Sequence, residues 1–377
     1  MPSVTCIAPV NIAVIKYWGK RDEKLILPLN DSISTTLSTD QLCAKTKITL
    51  DPTIKVNRLV LNGKEETFDN PRLQACLTEI KERAKHAGTM KPEMLNWNLE
   101  IESENNFPTA AGLASSAAGY ACLVQALAHL YKIQDQEVSC IARMGSGSAC
   151  RSIYGGFVQW KMGKELSGGD SFAVQVANEN HWPELRILIL VVNDHRKDTS
   201  STSGMNRTVQ TSELLKQRIN VCVPERIESM NLAIKSKDFP NFARITMQDS
   251  NQFHAVCLDT YPPCVYLNDI SHKIIRFIHQ YNEYKKETTA AYTFDAGPNA
   301  CLYVEEKNVA ELLAFIDHVF PNDNIDSVEY KRGMTMNSQY KLKEEEKRLF
   351  TVHEANCFKF IIHTCVGAGP QILDHEQ

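Results

Sequence analysis

The sequence lacks the features that define three broad classes of protein. No apolar run is long enough to span a bilayer: the run at 7–15 is interrupted by Pro9 and Asn11 and is followed at once by Lys16. There is no dense cluster of Lys and Arg, and 41 basic against 45 acidic residues give a net charge of -4, so we expect no nucleic-acid partner. The 12 cysteines form no CxxC pair and no Cys/His cluster with metal-ligand spacing, which indicates reduced, mostly buried thiols. No signal peptide or recognised terminal address is found, so we expect a cytoplasmic protein without a membrane span.

The length indicates two lobes with a cleft between them. At 377 residues, the chain exceeds the size at which one hydrophobic core usually keeps growing. Hydrophobic residues make up 43% and charged residues 23%, which is ordinary for a globular protein with a sizeable core. A Gly-rich stretch followed by His181, Trp182 and Pro183 predicts a boundary, with an N-terminal lobe over 1–183 and a C-terminal lobe over 184–377.

Hydrophobic periodicity predicts an α+β fold. Alternating, β-branched runs predict strands, and apolar positions at helical spacing predict amphipathic helices. The predicted strands are 3–8, 44–50, 58–61, 95–101, 157–161, 185–192, 300–304 and 358–364. The predicted helices are 72–86, 112–131, 207–216, 225–235, 239–253 and 266–281. The segment 322–346 is polar without a clear period, so we interpret it as a surface excursion without chemistry.

A loop of small residues precedes the Ala-rich helix at 112–131 and is a candidate phosphate loop over 105–119. Small side chains let the backbone approach phosphate oxygens, and the first N–H groups of a helix favour an anion. The GxxxxGK[ST] nucleotide-binding loop is excluded because no Lys follows the glycine. An ordinary buried helix with serine caps explains the same segment. The predicted nucleotide-binding residues are Asn105, Pro108, Ala111, Gly112, Ala114, Ser115 and Ser116.

Five motifs in order along the chain resemble those of one enzyme family. The PxxxGLxSS pattern from Pro108 to Ser116 resembles the phosphate loop of the GHMP superfamily of small-molecule kinases. Together with the segments 8–20, 145–152, 200–205 and 294–300, it resembles the diphosphomevalonate decarboxylase family. The resemblance extends from about Val4 to Pro370 and so covers essentially the whole chain.

The resemblance implies a two-lobed GHMP kinase fold, with a ribosomal S5 domain 2-like N-terminal lobe and a ferredoxin-like C-terminal lobe. It also implies mevalonate 5-diphosphate and ATP as substrates, Mg²⁺ as cofactor, and usually a homodimer. The implied reaction is ATP-dependent decarboxylation to isopentenyl diphosphate, which supplies isoprenoid and sterol precursors. A tertiary hydroxyl is a poor leaving group, and its transient phosphorylation would overcome that obstacle.

Asp295 and Arg151 are the central catalytic candidates implied by the resemblance. Asp295 matches the aspartate that takes or orients the proton of the tertiary hydroxyl, and Arg151 matches the residue that aligns the substrate carboxylate through its planar fork of donors. Taken without the family, Asp295 is also explained as a turn residue and Arg151 as a surface arginine after a Gly/Ser loop.

The remaining candidates surround the substrate. The resemblance places a substrate contact in each of four segments, and adds Lys16 and Ser116 to the catalytic set, with Ser116 also as a magnesium ligand. A solvated basic strand end explains the lysines equally well, loop flexibility explains the glycine-serine segment, and a helix N-cap cluster explains the residues at 202–205. The predicted substrate-binding residues are Asn11, Lys16, Tyr17, Lys20, Ser146, Ser148, Arg151, Thr202 and Met205.

Two other functions remain open at this point. A GHMP kinase that phosphorylates an alcohol and stops would share the phosphate loop, although the Arg151 segment favours a decarboxylase. A catalytically silent nucleotide-binding protein on the same fold would be expected to lack Asp295 or Arg151, and both are present.

Overall fold

A computed structural model describes residues 2–107, 115–133, 135–192, 198–335 and 339–376. It contains mostly antiparallel sheets with helices packed on them, which confirms the α+β class. The strands are β1 (Ser3–Pro9), β2 (Asn11–Ile15), β3 (Lys20–Asp22), β4 (Leu27–Pro28), β5 (Ser32–Thr36), β6 (Cys43–Asp51), β7 (Arg58–Leu61), β8 (Lys64–Glu66), β9 (Asn98–Asn105), β10 (Phe157–Trp160), β11 (Ala173–Ala177), β12 (Leu185–Val191), β13 (Ala290–Phe294), β14 (Ala300–Glu305), β15 (Lys331–Gly333), β16 (Phe360–Cys365) and β17 (Gln371–Glu376).

The helices are distributed over both halves of the chain. None of those in the described ranges is both long enough and apolar enough to cross a membrane. The α-helices are α1 (Pro71–Ala87), α2 (Ser115–Tyr131), α3 (Asp135–Gly145), α4 (Ser201–Thr211), α5 (Glu213–Gln217), α6 (Val223–Ser236), α7 (Phe239–Asp259), α8 (Asp269–Lys285), α9 (Glu306–Val319) and α10 (Glu344–Lys347). Two 3₁₀ segments, Met94–Asn96 and Gly147–Ile153, and one π-helical segment, Arg218–Cys222, complete the set.

The first part of the chain forms a six-stranded sheet in the order β17-β1-β6-β9-β7-β8 and a four-stranded sheet in the order β11-β10-β5-β2. Strand β6 alternates between buried and exposed residues, with Ala44 and Ile48 buried and Lys47 exposed. This alternation arises because α2 covers one face of the sheet. Helix α2 is buried over most of its surface, and its many alanines let it lie close to the strands.

The second part of the chain is built on a five-stranded sheet in the order β13-β14-β12-β16-β15. Its central strand, β12, is buried along its whole length, which explains its nearly continuous apolar sequence. Helix α7 packs against β13 of this sheet and also against β2 of the four-stranded sheet. The ends of β2 and β13 therefore lie beside the same helix, and this contact positions the site described below.

Most predicted elements are present, with shifted ends. The helix predicted at 72–86 lies within α1 and is followed by Gly88 in the left-handed conformation, as expected for a C-cap. The helix predicted at 207–216 begins earlier, at Ser201, and is interrupted at Ser212. The reason is local: the Ser212 hydroxyl accepts from the Leu215 amide and donates to Asp259, which starts a new helix.

The interpretation of 322–346 as a surface excursion fits most of its described residues, which are exposed or half-buried, but the segment also contributes to the fold. Strand β15 adds to the sheet parallel to β16, and Tyr330 just before it is buried. Glu346 in α10 is also buried and accepts from the hydroxyls of Tyr284 and Tyr340. Hydrogen bonding of these polar groups stabilises a segment that hydrophobic periodicity does not mark.

The division at residue 183 stays a prediction. The chain does, however, return to its beginning: β17 pairs antiparallel with β1, with Ser3 opposite Glu376 and Ile7 opposite Gln371. The six-stranded sheet is thus completed by residues that follow the second sheet in sequence.

Candidate functional site

A cleft of about 470 Å³ lies where the two parts of the molecule meet. It brings together side chains that are far apart in sequence, including both central candidates, Asp295 and Arg151. All nine predicted substrate-binding residues and both serines of the phosphate loop that the structure describes line it. The lining residues are Asn11, Ala13, Lys16, Tyr17, Trp18, Lys20, Ile26, Arg72, Ser115, Ser116, Ser146, Gly147, Ser148, Arg151, Ser200, Ser201, Thr202, Met205, Phe253, Asp295 and Ala296.

Lys16 and Asp295 form an ion pair in the cleft. The Lys16 Nζ lies 2.5 Å from the Asp295 Oδ1, and the lysine side chain is only 3% exposed. Lys16 follows β2, whose pairing with β5 shifts register between Ala13 and Ile15. Such an irregularity redirects the side chains that follow it. The alternative of a solvated basic strand end is wrong for Lys16, because the ammonium is buried and paired.

Asp295 lies directly after β13, at the point where the chain turns. Its carbonyl accepts from the Gly297 amide at 2.7 Å, so the turn interpretation describes its backbone. Its side chain is 30% exposed and lines the cleft. The carboxylate is therefore held by Lys16 on one side and open to a ligand on the other, as a group that accepts a substrate proton must be.

Arg151 lies in the 3₁₀ segment Gly147–Ile153 and is buried, so the surface interpretation is wrong. Its Nη1 donates to the Ser32 hydroxyl at 2.6 Å and its Nε to the Ser34 hydroxyl at 3.1 Å. Its Nε also lies 3.3 Å from the Asn11 Oδ1. These partners are neutral, so burial lowers the pKa of the guanidinium, with only partial compensation from nearby acidic groups that include Asp295. A buried cation held by neutral groups favours an anionic ligand.

Asn11 connects Arg151 to the glycine-serine segment. Its Nδ2 donates to the Ser148 carbonyl at 3.0 Å and to the Ser152 hydroxyl at 2.7 Å. The amide is thereby fixed with its oxygen toward Arg151. Loop flexibility does not describe this segment, since Arg151 and Ser152 within it are buried and hydrogen-bonded.

Of the candidate phosphate loop at 105–119, the structure describes residues 105–107 and 115–119. Ser115 and Ser116 form the first turn of α2, and the Ser116 hydroxyl lies 3.4 Å from the Ser146 hydroxyl. The predicted contacts Pro108, Ala111, Gly112 and Ala114 lie outside the described residues. Asn105 ends β9 and is not among the residues that line the cleft.

A cationic edge follows Lys16 along the chain. The Tyr17 hydroxyl is buried, and within the described ranges it has no hydrogen-bond partner; burial raises the pKa of this phenol. Burial also lowers the pKa of Lys20, which forms no salt bridge with any residue the structure describes. Both side chains line the cleft, and since neither polar group has such a partner among the described residues, both can bind a ligand there.

Sequence reasoning missed Arg72, whose Nη2 donates to the Thr202 hydroxyl at 3.1 Å. Arg72 is near the start of α1, in a segment that carries no motif. The sequence of this amphipathic helix therefore does not indicate that Arg72 lies at the cleft. Phe253 was missed because it belongs to a predicted helix; its ring lies 4.9 Å from that of Trp18, measured between centroids. Thr202 and Met205 lie in the first turns of α4, whose N-cap is Ser200. The residues at 202–205 therefore belong to a capped helix start, as the N-cap interpretation has it, and two of them also line the cleft.

The donor set of the cleft suits a metal ion held mostly by phosphate. In the described part of the chain, no three His, Cys, Asp or Glu side chains come together to hold a metal. Mg²⁺ usually takes only one or two protein oxygens and completes its shell with phosphate and water. The Ser116 hydroxyl and the open side of the Asp295 carboxylate are oxygens of that kind in the cleft.

Comparisons with known proteins show the family to which the chain is similar. One family model, described as "Diphosphomevalonate decarboxylase-like N-terminal domain", matches residues 8–173, and another, described as "Mevalonate 5-diphosphate decarboxylase C-terminal domain", matches residues 187–373. A diphosphomevalonate decarboxylase from Danio rerio is 52% identical over 375 residues, covering 98% of this chain and 93% of that protein.

Solved structures give the same result. A mevalonate diphosphate decarboxylase from Trypanosoma brucei superposes with a TM-score of 0.90 at 40% identity, covering 99% of this chain and 98% of that one. A structure described as "MDDEF in complex with MVAPP, AMPPCP and Magnesium" has a TM-score of 0.77 at 31% identity, covering 99% of each chain. The expected GHMP kinase fold is confirmed by these matches.

Proposed function

The chain belongs to the diphosphomevalonate decarboxylase family, and from this premise we propose that Asp295, Lys16 and Arg151 carry out the family reaction in the cleft. The reaction is the ATP-dependent decarboxylation of mevalonate 5-diphosphate to isopentenyl diphosphate, with release of ADP, phosphate and carbon dioxide. It belongs to the mevalonate route to isoprenoids. We propose in addition that its product serves sterol synthesis, and that the protein acts in the cytoplasm as a homodimer.

Asp295 acts first in this proposal. Its carboxylate takes the proton of the tertiary hydroxyl as that oxygen attacks the γ-phosphorus, and the bond between the γ-phosphorus and ADP breaks. Lys16, whose Nζ lies 2.5 Å from the carboxylate, orients it toward the substrate. The exposed side of the carboxylate faces the substrate because the other side is occupied by the ammonium.

Arg151 acts in the second step, the decarboxylation with loss of phosphate. The bond between the carboxylate carbon and its neighbour breaks, its electron pair forms the new double bond, and the phosphorylated oxygen leaves as phosphate. Arg151 aligns the departing carboxylate through the fork of donors that Ser32, Ser34 and Asn11 hold in place. Positive charge that develops at the tertiary carbon is stabilised by the negative charge of the substrate's own phosphates.

The remaining hydrogen-bond donors of the cleft bind phosphate groups. Lys20, Tyr17 and Arg72 form the edge that we assign to the substrate diphosphate, since each presents a polar donor to the cleft. Ser115 and Ser116 at the start of α2 bind the nucleotide phosphates. When bound, Mg²⁺ supplies charge neutralisation at the phosphate oxygens, and Ser116 would be its protein ligand.

One observation carries the proposal: a buried, paired lysine, an open carboxylate and a buried guanidinium line the same cleft, although positions 16, 151 and 295 are widely separated in sequence. ATP and Mg²⁺ as co-substrate and cofactor are further supported by the ATP analogue and magnesium named for a structural relative.

The direct test measures two products. Purified protein is incubated with ATP, Mg²⁺ and carboxyl-labelled mevalonate 5-diphosphate, and ADP and carbon dioxide are quantified together. We expect equal amounts of both. ADP without carbon dioxide would instead indicate a kinase that stops after phosphoryl transfer, and neither product would indicate a silent nucleotide-binding protein.

The Asp295→Ala variant tests the assignment of the base. We expect turnover to fall by about 10³-fold or more, because the group acts in the chemical step, while the affinity for an ATP analogue stays close to that of the wild type. Turnover near the wild-type rate would contradict the role of Asp295. Sedimentation equilibrium of the wild type tests the homodimer separately, and a monomer mass at micromolar concentration would contradict it.

A further inference from the structure

The peptide groups on both sides of the Lys16 Cα are held by a buried ion pair from the other part of the molecule. The Lys16 amide donates to the Asp249 Oδ2 at 2.7 Å, and the Lys16 carbonyl accepts from the Arg218 Nη2 at 3.0 Å. Arg218 in turn donates to both carboxylate oxygens of Asp249, at 2.8 and 3.0 Å. A carboxylate and a guanidinium thus grip one residue of the cleft at its backbone.

This pair is unusually deep. Both side chains are 0% exposed. Burial by itself raises the pKa of Asp249, yet the Arg218 guanidinium and the Lys16 amide keep the pKa of that carboxyl below its ordinary value. Buried ion pairs commonly contribute little net stability, because the cost of removing both charges from water offsets their attraction. Stability alone is therefore a weak reason for placing this pair here.

The elements that carry the pair are also unusual. Arg218 begins the π-helical segment Arg218–Cys222 between α5 and α6, and Asp249 lies in the middle of α7. Short π-helical segments are rare and occur mostly where a side chain must be placed for function. Residue Lys16 follows the register shift of β2, where the strand alone fixes the direction of a side chain poorly.

We propose that Arg218 and Asp249 are positioning residues for catalysis: they fix the Lys16 peptide so that the ammonium meets the Asp295 carboxylate. This inference rests on the proposed roles of Lys16 and Asp295. Neither Arg218 nor Asp249 lines the cleft, so they act through Lys16 and not on the substrate. The bidentate geometry is essential, because a single guanidinium reaches both the carboxylate and the Lys16 carbonyl.

A pair of apolar replacements separates positioning from stability. In the double variant Arg218→Met/Asp249→Leu, the fully buried pair is removed as a unit, and only Arg226, whose side chain is 18% exposed, loses its carboxylate partner. We therefore expect the thermal midpoint to lie near that of the wild type. We expect the kcat of the double variant to be at least about 10-fold lower than that of the wild type, while its affinity for an ATP analogue is unchanged. The single variant Arg218→Lys keeps the charge but cannot make both contacts, and kcat should fall similarly with KM changing less than about threefold.

The matched control is Arg226→Met. Arg226 also donates to the Asp249 Oδ1, at 3.0 Å, but in the described structure it makes no hydrogen bond with Lys16. The kcat of this variant should remain within about twofold of the wild type. A double variant with both wild-type kcat and wild-type stability would overturn the positioning role. The Lys16→Met variant is measured in parallel. If it retains full turnover, the proposed function of Lys16 itself is wrong. If it loses turnover while the double variant is fully active, only the positioning role of Arg218 and Asp249 is wrong.

Discussion

Arg151 shows, at the scale of one residue, how a cation can be prepared for an anion. It is buried among hydroxyl and amide oxygens, to which its Nε and Nη1 donate, and its Nη2 makes no hydrogen bond with another residue that the structure describes. Arginine suits the position because its planar fork reaches Ser32 and Ser34 at once and leaves donors for a ligand. An ammonium on a flexible chain cannot reproduce these directions.

The Arg151→Lys variant should therefore lose about 100-fold in kcat/KM, with effects on both KM and kcat. Steady-state kinetics with mevalonate 5-diphosphate measures this. The control is Arg143→Lys: Arg143 is equally buried and donates to the carbonyls of Gly168 and Ser171, but it does not line the cleft. Its variant should lose stability and keep kcat/KM within about threefold per folded molecule. Equal losses in the two variants would argue against a substrate role for Arg151.

Lys20 predicts a pH dependence of substrate affinity. Burial lowers its pKa, so its ammonium loses its proton at a lower pH than an exposed lysine does. If Lys20 binds the diphosphate, KM should rise as the pH increases into the alkaline range, and it should rise earlier than an ordinary lysine would cause. In Lys20→Arg, the guanidinium stays charged throughout, so the KM profile between about pH 7 and 10 should flatten.

The control for this profile is Lys164→Arg, at an exposed position outside the cleft, which should keep the wild-type profile. A Lys20→Arg profile that rises as steeply as that of the wild type would assign the alkaline loss to another group.

At the scale of the element, the lack of a side chain at Gly204 allows α4 to pack closely against two aromatic side chains. A Cβ at Gly204 would lie 2.4 Å from the Tyr266 hydroxyl and 3.1 Å from the Trp18 ring. Helix α4 carries Thr202 and Met205 into the cleft, so the close approach at Gly204 sets their position.

Gly204→Ala should displace the start of α4. We expect the free energy of unfolding to fall by about 1–3 kcal/mol from overpacking, and KM for mevalonate 5-diphosphate to rise because the lining residues move. Denaturant unfolding and steady-state kinetics measure the two effects. The neighbouring Ser203→Ala, at an exposed position in the same turn, is expected to change neither; unchanged KM in Gly204→Ala would show that α4 does not set the cleft.

Apolar periodicity predicted several elements from the sequence but not all of them, since α9 was missed although its buried residues recur at helical spacing. Helix α7 was predicted over most of its length because its buried residues recur at helical spacing. Strand β5 was missed: its sequence is Ser, Ile, Ser, Thr, Thr, yet all five residues are buried, since Ser32 and Ser34 accept from Arg151. The partner that permits burial of such a strand is 117 positions away in sequence.

The candidate site was predictable only as far as motifs mark it. Asp295, Arg151 and Lys16 stand in motif segments, whereas Arg72 and Arg218 stand in helices whose sequences show no special pattern. Their relation to the cleft comes from tertiary contacts, such as that of Arg218 with the Lys16 carbonyl. A single sequence does not indicate contacts of this kind.

At the scale of the whole molecule, His254 couples stability to pH. It is buried in α7, and desolvation lowers its pKa to about 3 from an ordinary value of 6.5. The unfolded chain therefore binds a proton between these pH values that the folded protein does not bind. Its contribution to stability is complete above pH 6.5 and is lost as the pH falls toward 3.

From pH 6.5 to about pH 5, this one group should reduce the free energy of unfolding by about 2 kcal/mol. His254→Gln removes the titration, so its stability should fall less over the same interval. Denaturant unfolding at both pH values measures the difference. Exposed His86→Gln serves as the control and should lose as much stability as the wild type does; an equal loss in His254→Gln would contradict the assignment.

The pairing of β1 with β17 has a consequence for biosynthesis. Nearly the whole 377-residue sequence separates these neighbours. While the chain emerges from the ribosome, the hydrogen-bonding edge of β1 that β17 will cover has no partner until the last of these strands has been translated. An uncovered strand edge invites pairing with other chains. In a newly made molecule, this edge of β1 is therefore exposed to pairing with other chains until β17 has been synthesised and has docked.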